Sequence, residues 1–307
     1  MKVFLTGATG FLGSWVLEQL LDGGDTVAVL LRDGADTSRI TTCQDRAQVI
    51  RGDLRDVAAF EPAVRAFAPD AVAHLAWDGV AGAERNAPRQ WRNVSAALEL
   101  LELAARCGAH HWIGVGSQAE YGPCANVISE DTPTRPTTLY GASKLATGQL
   151  AQALCGHLGL RFGWLRLFSA YGPRDNPSWM IPSLILALKR GERPAVTRAE
   201  QLWDYIHVAD AAAAVTAVLR TPGAQGFFNL GSGSAPPLRE IIETVRDLVA
   251  PGQAVGFGEV PYRPDQVMHL QADIRRLSQA TGWRPAMTLD QGLRATVRWF
   301  APESGTT

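Results

Sequence analysis

The sequence predicts an α/β fold: a doubly wound parallel sheet with a smaller C-terminal α/β lobe. Three observations carry that expectation. A short apolar run, Val3–Thr6, ends directly in a glycine-rich turn. Strand-like runs then alternate with segments of helical period as far as about Leu167. Beyond that point prolines cut the chain into short pieces, among them Pro173, Pro177, Pro182, Pro194, Pro236 and Pro237. Strands alternating with helices imply parallel pairing through right-handed crossovers, hence a sheet covered on both faces.

After the first strand, Phe11–Asp22 sets Leu12, Val16, Leu17, Leu20 and Leu21 at helical spacing. Thr26–Leu31 is an apolar run of the kind that is buried on both sides. Val49–Ile50 predicts a short strand ahead of Gly52-Asp53. Ala71–Ala76 predicts a strand, Asn93–Cys107 a leucine-rich helix, and His111–Gly116 a strand. Gly141–Leu158 predicts a helix and Arg161–Leu167 a strand. In the second half, helices are expected at Ile181–Arg190, Ala209–Arg220 and Leu238–Val249. Phe227–Leu230 is strand-like and able to rejoin the main sheet. The expected division is residues 1–168 for the sheet domain and 169–307 for the lobe, a soft boundary because segments such as 204–230 are able to return to the main sheet. The polar tail Glu303–Thr307 is expected to fray.

Composition narrows the function. The chain has 307 residues, enough to bury a core without disulfides or metal. Its 29 basic and 30 acidic residues balance, which argues against a nucleic-acid partner. The four cysteines, Cys43, Cys107, Cys124 and Cys155, make no C-x-x-C pair and no zinc spacing. Reduced thiols, an N-terminus that enters a strand at once, and no long uncharged apolar run predict a cytoplasmic protein without a membrane span. The pair His110-His111 is expected at the surface, with His74 and His207 packing at strand ends.

The first turn reads Thr6-Gly7-Ala8-Thr9-Gly10-Phe11-Leu12-Gly13. Glycines three apart between a strand and a helix let the backbone approach a pyrophosphate, and the helix N-terminus offers free N–H groups to it. The expectation is a dinucleotide, bound by Gly7, Thr9, Gly10, Phe11 and Leu12. At the end of the second strand, an acid would select NAD by binding the ribose 2′-hydroxyl. Leu31 and Arg32 stand there instead. Arg32 can pair with a 2′-phosphate, so NADP(H) is favoured, while Asp33, one place later, keeps NAD(H) open. Asp53 is placed to accept a hydrogen bond from the adenine amino group.

A second constellation lies downstream. Tyr140 and Lys144 are four apart at a helix start, so both side chains stand on one face. A free phenol, with a pKa of about 10, exchanges protons poorly at neutral pH, and an ammonium nearby favours the phenolate. Ser117 follows a strand in Gly116-Ser-Gln-Ala-Glu-Tyr-Gly122, where its hydroxyl can bond a substrate oxygen. The expected catalytic set is Tyr140, Lys144 and Ser117.

These residues together resemble the extended short-chain dehydrogenase/reductase family, the NAD(P)-dependent nucleotide-sugar epimerases, dehydratases and reductases. The likeness runs through Val72-Ala-His-Leu-Ala76, Asn93-Val94, Arg166-Leu-Phe-Ser-Ala-Tyr-Gly-Pro173, Trp203-Asp-Tyr-Ile-His-Val208, Phe228-Asn-Leu-Gly231 and Tyr262-Arg263-Pro-Asp265. It implies that Tyr140 gives or takes the proton and that Lys144 binds the nicotinamide ribose and tunes Tyr140. It also implies that Leu54, Leu75, Ala76 and Asn93 lie at the cofactor. Ser117, Gln118, Ser169 and Arg263 would then face the substrate, with Arg263 gripping its diphosphate. A homodimer is implied as well, through helices such as Trp91–Cys107 and Tyr140–Leu158.

The departures shape the subclass. Sugar dehydratases of this family carry acids after the serine or threonine, where this chain has Gln118 and Ala119, neither able to exchange protons. Glu120, next in line, is expected to point away in an extended segment. Ser169 and Trp203 replace the asparagine and arginine found in many members. The second half resembles the deoxysugar 4-ketoreductase branch of the CDP-abequose synthase type. The favoured expectation is therefore NADPH-dependent reduction of the C4 ketone of an NDP-4-keto-6-deoxyhexose. The alternative is an NDP-sugar 4-epimerase with tightly bound NAD. Reduction of small carbonyl compounds and NADP sensing are further readings; a sensor would typically lose the Tyr140/Lys144 pair.

Overall fold

The structure, a computed structural model, describes residues 1–263 and 266–302. Pro264 and Asp265 of the Tyr262–Asp265 motif, and the tail Glu303–Thr307, lie outside the described residues.

Six strands alternate with helices as the apolar pattern predicts: β1 (Lys2–Thr6), β2 (Thr26–Leu31), β3 (Gln48–Arg51), β4 (Ala71–His74), β5 (His111–Ser117) and β6 (Arg161–Leu167). With the edge strand Gly226–Leu230 they form one seven-stranded sheet. Its order, starting from that edge strand, is Gly226–Leu230, β6, β5, β4, β1, β2, β3, and every pairing is parallel. The strand order reverses at β1, with β2 on one side and β4 on the other. That switch opens a crevice at the carboxyl ends of the strands, where ligands of such sheets bind.

Side-chain alternation along β1 shows why both faces are covered. Val3 and Leu5 enter one apolar cluster, with Val16, Leu20, Val215 and Val218, while Phe4 enters another, with Phe60, Leu100 and Trp112. The first face carries α1 (Phe11–Asp22) and α6 (Val208–Arg220); the second carries α2 (Val57–Phe67), α3 (Trp91–Arg106) and α4 (Leu139–Leu158). A third cluster binds α5 (Met180–Lys189), α7 (Leu238–Val249) and α9 (Leu289–Phe300) through Leu184, Ile185, Ile241, Val245 and Leu293. The fold class predicted from sequence is the one observed.

Three helices are absent from the prediction. In α2 the buried residues Val57, Phe60, Val64 and Phe67 keep helical spacing, but Pro62 interrupts the run, a residue that ordinarily ends a helix. Asp56 caps it by accepting the Ala59 N–H. The helices α8 (Arg275–Thr281) and α9 follow proline-rich sequence, and α9 starts with a capping box between Thr288 and Gln291. β4 ends at His74, two residues short of the predicted strand, and Leu75 and Ala76 leave the sheet beside the glycine turn. His111 is buried within β5, contrary to the expected surface position, while His110 stays exposed. Burial holds the His111 imidazole down to about 4, so it is neutral in the core.

Candidate active site

One cleft of about 1110 Å³ runs across the carboxyl edge of the sheet. It is lined by Gly7, Thr9, Gly10, Phe11, Leu12, Arg32, Asp53, Leu54, Leu75, Ala76 and Asn93 at one side. Ser117, Gln118, Tyr140, Lys144 and Ser169 line its continuation. Every sequence-predicted site residue but one is thereby gathered. Arg263 is exposed and is not among the residues lining the cleft.

The glycine turn is shaped for close approach. Gly7 has φ +80°, and a Cβ there would lie 2.6 Å from the Ala76 nitrogen. A Cβ on Gly13 would lie 1.9 Å from the Gly7 carbonyl oxygen. Helix α1 starts behind Gly10 without any side-chain cap, so its first N–H groups are left to a ligand. A dinucleotide fits this cradle: bare backbone and a helix N-terminus at the phosphates, apolar Leu54 and Leu75 beyond. At the far end the Asp53 carboxylate is held by Arg55 at 2.7 Å and by the Arg55 backbone N–H, which keep it below the usual carboxylate range. Arg32 is exposed on the same rim, one residue past the buried Leu31.

At the other end α4 starts behind Thr138, whose hydroxyl accepts the Gly141 N–H at 3.1 Å. That start aims Tyr140 and, one turn on, Lys144 into the cleft; both are buried. The Lys144 ammonium donates to the Val115 carbonyl at 2.7 Å and lies 3.8 Å over the Trp77 ring. Burial holds it down to about 7. The Tyr140 phenol is also pushed, upward, by burial; the Ser117 hydroxyl and the Arg85 charge oppose that rise, and Glu120 adds to it. Lys144 also stands near the phenol. Its Nζ is 5.9 Å from the Tyr140 ring centre and occupied by a carbonyl. One of its three N–H donors is thereby committed to β5, while its charge stays beside the phenol ring.

Ser117 ends β5 and caps a short turn, Gln118–Glu120. Its hydroxyl accepts the Ala119 N–H at 3.2 Å. The turn replaces the extended segment expected there, because the Glu120 carboxylate folds back on the Ser117 N–H at 2.9 Å. The same carboxylate accepts from Trp164 Nε1 at 2.9 Å and from Arg166 Nε at 2.7 Å. Arg166 also donates to Tyr121 Oη at 2.8 Å, and Tyr121 donates to Asn229 at 2.7 Å. Glu120, Arg166 and Tyr121 are thus a buried polar network directly behind Ser117, and their roles are not legible from the motif around Ser117. Gln118 and buried Ala119 leave no carboxylate of this turn facing the cleft.

Two residues that set this sequence apart prove to be partners: Trp203 Nε1 donates to Ser169 Oγ at 2.9 Å, both lining the cleft. The segment from Trp77 to Gln90 is anchored by side-chain hydrogen bonds. Gln90 accepts from Trp77 Nε1 at 2.9 Å and donates to the Gly79 and Glu84 carbonyls. Asn93 makes a reciprocal pair with the Asp78 backbone, both bonds 3.0 Å. Trp77 turns inward, edge-on to Tyr140 at 6.1 Å, while Trp91 stays exposed. His74 bonds the Thr6 hydroxyl at 2.8 Å, and burial holds it down to about 3, a packing role as expected.

Comparison with known proteins agrees with this layout. The family model described as NAD dependent epimerase/dehydratase family matches residues 3–231. A UDP-glucose 4-epimerase of Corynebacterium glutamicum is 30% identical, over 94% of this chain and 92% of its own length. A dTDP-glucose 4,6-dehydratase of Streptomyces griseus is 31% identical, over 97% of this chain and 93% of its own. The solved UDP-glucose 4-epimerase of Thermus thermophilus, in complex with NAD, superposes with a TM-score of 0.87 at 29% identity, covering 99% of this chain and 100% of that one.

Proposed function

The chain belongs to the NAD dependent epimerase/dehydratase family, and on that premise we propose that it is a nucleotide-sugar 4-epimerase using NAD. One observation carries the choice within the family. Ser117 and Tyr140 converge on the cleft, while the places after Ser117 hold Gln118 and Ala119, and the Glu120 carboxylate is turned into the core. Elimination of water needs an acid and a base of its own; the turn after Ser117 supplies no carboxylate for it, and the Tyr140 phenol with the Ser117 hydroxyl is a set suited to moving hydride and proton at a single carbon. Relatives named as 4-epimerases support the epimerase over the ketoreductase favoured from sequence, for which the comparisons offer nothing.

Bound NAD would accept a hydride from the sugar and return it. The residues proposed to hold it are Gly7, Thr9, Gly10, Phe11 and Leu12 at the phosphates, Asp53 and Leu54 at the adenine side, and Leu75, Ala76, Asn93 and Lys144 toward the nicotinamide. Tyr140 takes the proton of the C4 hydroxyl and later gives it back. Ser117 donates a hydrogen bond to the same oxygen as charge develops on it. Gln118, Ser169 and Trp203 line the sugar and nucleotide side. Pairing of two copies through α3 and α4, where Leu139 and Leu150 are exposed, and a cytoplasmic setting suited to four unpaired cysteines, belong to the same proposal.

A second reading keeps one observation in its favour. Arg32 stands where NAD-binding relatives of this fold place an acid, with Arg55 close by on the same rim. That arrangement favours NADP(H) and a reductase. Incubating the purified protein with UDP-glucose and following both sugar and nicotinamide separates the two. An epimerase forms UDP-galactose with no net nicotinamide change. Stoichiometric NADPH consumption with a 4-keto sugar, and no epimer, would overturn the epimerase. A thermal-shift series with UDP-, dTDP-, CDP- and GDP-sugars identifies the base, since a ligand at 100 times its Kd adds about 2.7 kcal/mol.

A further inference from the structure

The cation nearest the Tyr140 ring comes from outside the Tyr140/Lys144 motif. The Arg85 guanidinium lies 4.6 Å from the ring centre. Arg85 belongs to the turn Gly82–Asn86, more than fifty residues upstream of Tyr140. Two features hold it there. Asn86 accepts the Leu139 N–H at 3.1 Å, which ties the turn to the residue before Tyr140. Gln90 binds the Glu84 carbonyl at 2.9 Å from within. Among the described residues no carboxylate lies within 4 Å of Arg85, whereas its neighbour Arg89 is paired with Glu84. Arg85 is half-buried and lines the cleft. Its charge is available to the phenol and is engaged by nothing else described.

We propose that Arg85 is a positioning residue for proton transfer, its guanidinium supplying the fixed positive charge against which the Tyr140 phenolate forms. The step is a simple proton exchange: the phenolate oxygen takes the proton of the sugar hydroxyl, the O–H bond breaks there, and Tyr140 Oη–H forms. A cation over an aromatic face favours added negative charge on the ring, and a guanidinium stays protonated at every working pH. Lys144 adds its own charge from 5.9 Å with one donor committed to the Val115 carbonyl, so Arg85 acts beside the Tyr140/Lys144 pair rather than in its place. Glu120, which acts on the same phenol from the turn after β5, works against ionisation; Ser117 works for it.

The proposal takes from the reading above only that Tyr140 exchanges the proton, and its test needs no sugar and no turnover. The full chain is labelled with 13C at tyrosine Cζ, and the Tyr140 signal is identified by its loss in Tyr140→Phe. The signal is then titrated in the unsubstituted chain, Arg85→Gln and Arg85→Lys. The expected result is a Tyr140 midpoint at least one pH unit higher in Arg85→Gln, with Arg85→Lys in between. The four other tyrosine signals should stay in place, showing an intact fold. An unmoved midpoint in Arg85→Gln, or a Tyr140 that does not ionise in the unsubstituted chain over its folded pH range, overturns the proposal. A shift of the midpoint in a protein that epimerises nothing would uphold the role of Arg85 and overturn the function.

Discussion

The two ends of the cleft are made of different materials. The cofactor end is backbone: a turn without side chains at Gly7, Gly10 and Gly13, and the uncapped start of α1. The catalytic end is side chain, and most of it is buried: Tyr140, Lys144, Ser117, and behind them Glu120, Arg166 and Tyr121. Backbone recognition tolerates many neighbours but no added Cβ. Buried polar recognition tolerates many backbones but no missing partner. The same sheet edge carries both because β1 and β5 end on one side of it.

Changes at the catalytic end should cost most. Replacing Tyr140 with Phe removes the group proposed to exchange the C4 proton, and turnover should fall about 10²–10⁴-fold. Binding of UDP-glucose, measured by calorimetry, should change little. Undiminished turnover in that variant would end the distinction between the two regions, since catalysis would then not depend on the buried phenol.

Next in size is Glu120→Gln. The Glu120–Arg166 pair is almost wholly buried, 0% and 5% exposed at the side chains. Removing one charge of a buried pair costs about 3–5 kcal/mol, because the other is left uncompensated. Urea unfolding should show that loss, since the glutamine carbonyl can still accept the Ser117 N–H while its amide faces Arg166 with no acceptor. Stability unchanged in Glu120→Gln would mean that Arg166 is already satisfied by Tyr121.

At the cofactor end Gly13→Ala sets a Cβ 1.9 Å from the Gly7 carbonyl oxygen, so the turn must shift. Overpacking of this kind costs about 1–3 kcal/mol, which in cofactor affinity is roughly 5- to 150-fold. Fluorescence titration with NAD checks it, and an unaltered Kd would show that the phosphates do not rest on this turn.

The contrast also explains what could be read from sequence. Gly7, Gly10 and Gly13 lie within seven residues, and Tyr140 and Lys144 within five, so a local pattern reveals them. The strand and helix runs of the first half are legible for the same reason, since each apolar face repeats within its own segment. Glu120, Arg166, Trp77 and Arg85 acquire their roles only when β5, β6 and the turn at residues 82–86 meet, and no spacing announces that. α2 is hidden by Pro62, and the placement of Arg263 depends on a loop whose path the motif does not encode.

Lys144 offers the smallest and most specific probe, because its effect is confined to a pH window. In the folded chain without cofactor, burial holds its ammonium down to about 7, against an ordinary value of 10.5. Between those values the unfolded chain binds a proton that the folded chain lacks, so stability rises with pH. The cost of burying Lys144 is complete below about 7 and vanishes above 10.5. Lys144→Met, close in length and uncharged, should therefore be more stable than the unsubstituted chain near neutrality and equal to it at high pH. Urea midpoints across that range, without cofactor, should show the two curves converging as pH rises. Curves that stay parallel would place the Lys144 charge in a solvated setting, and the catalytic end would then resemble the cofactor end more than its buried side chains suggest.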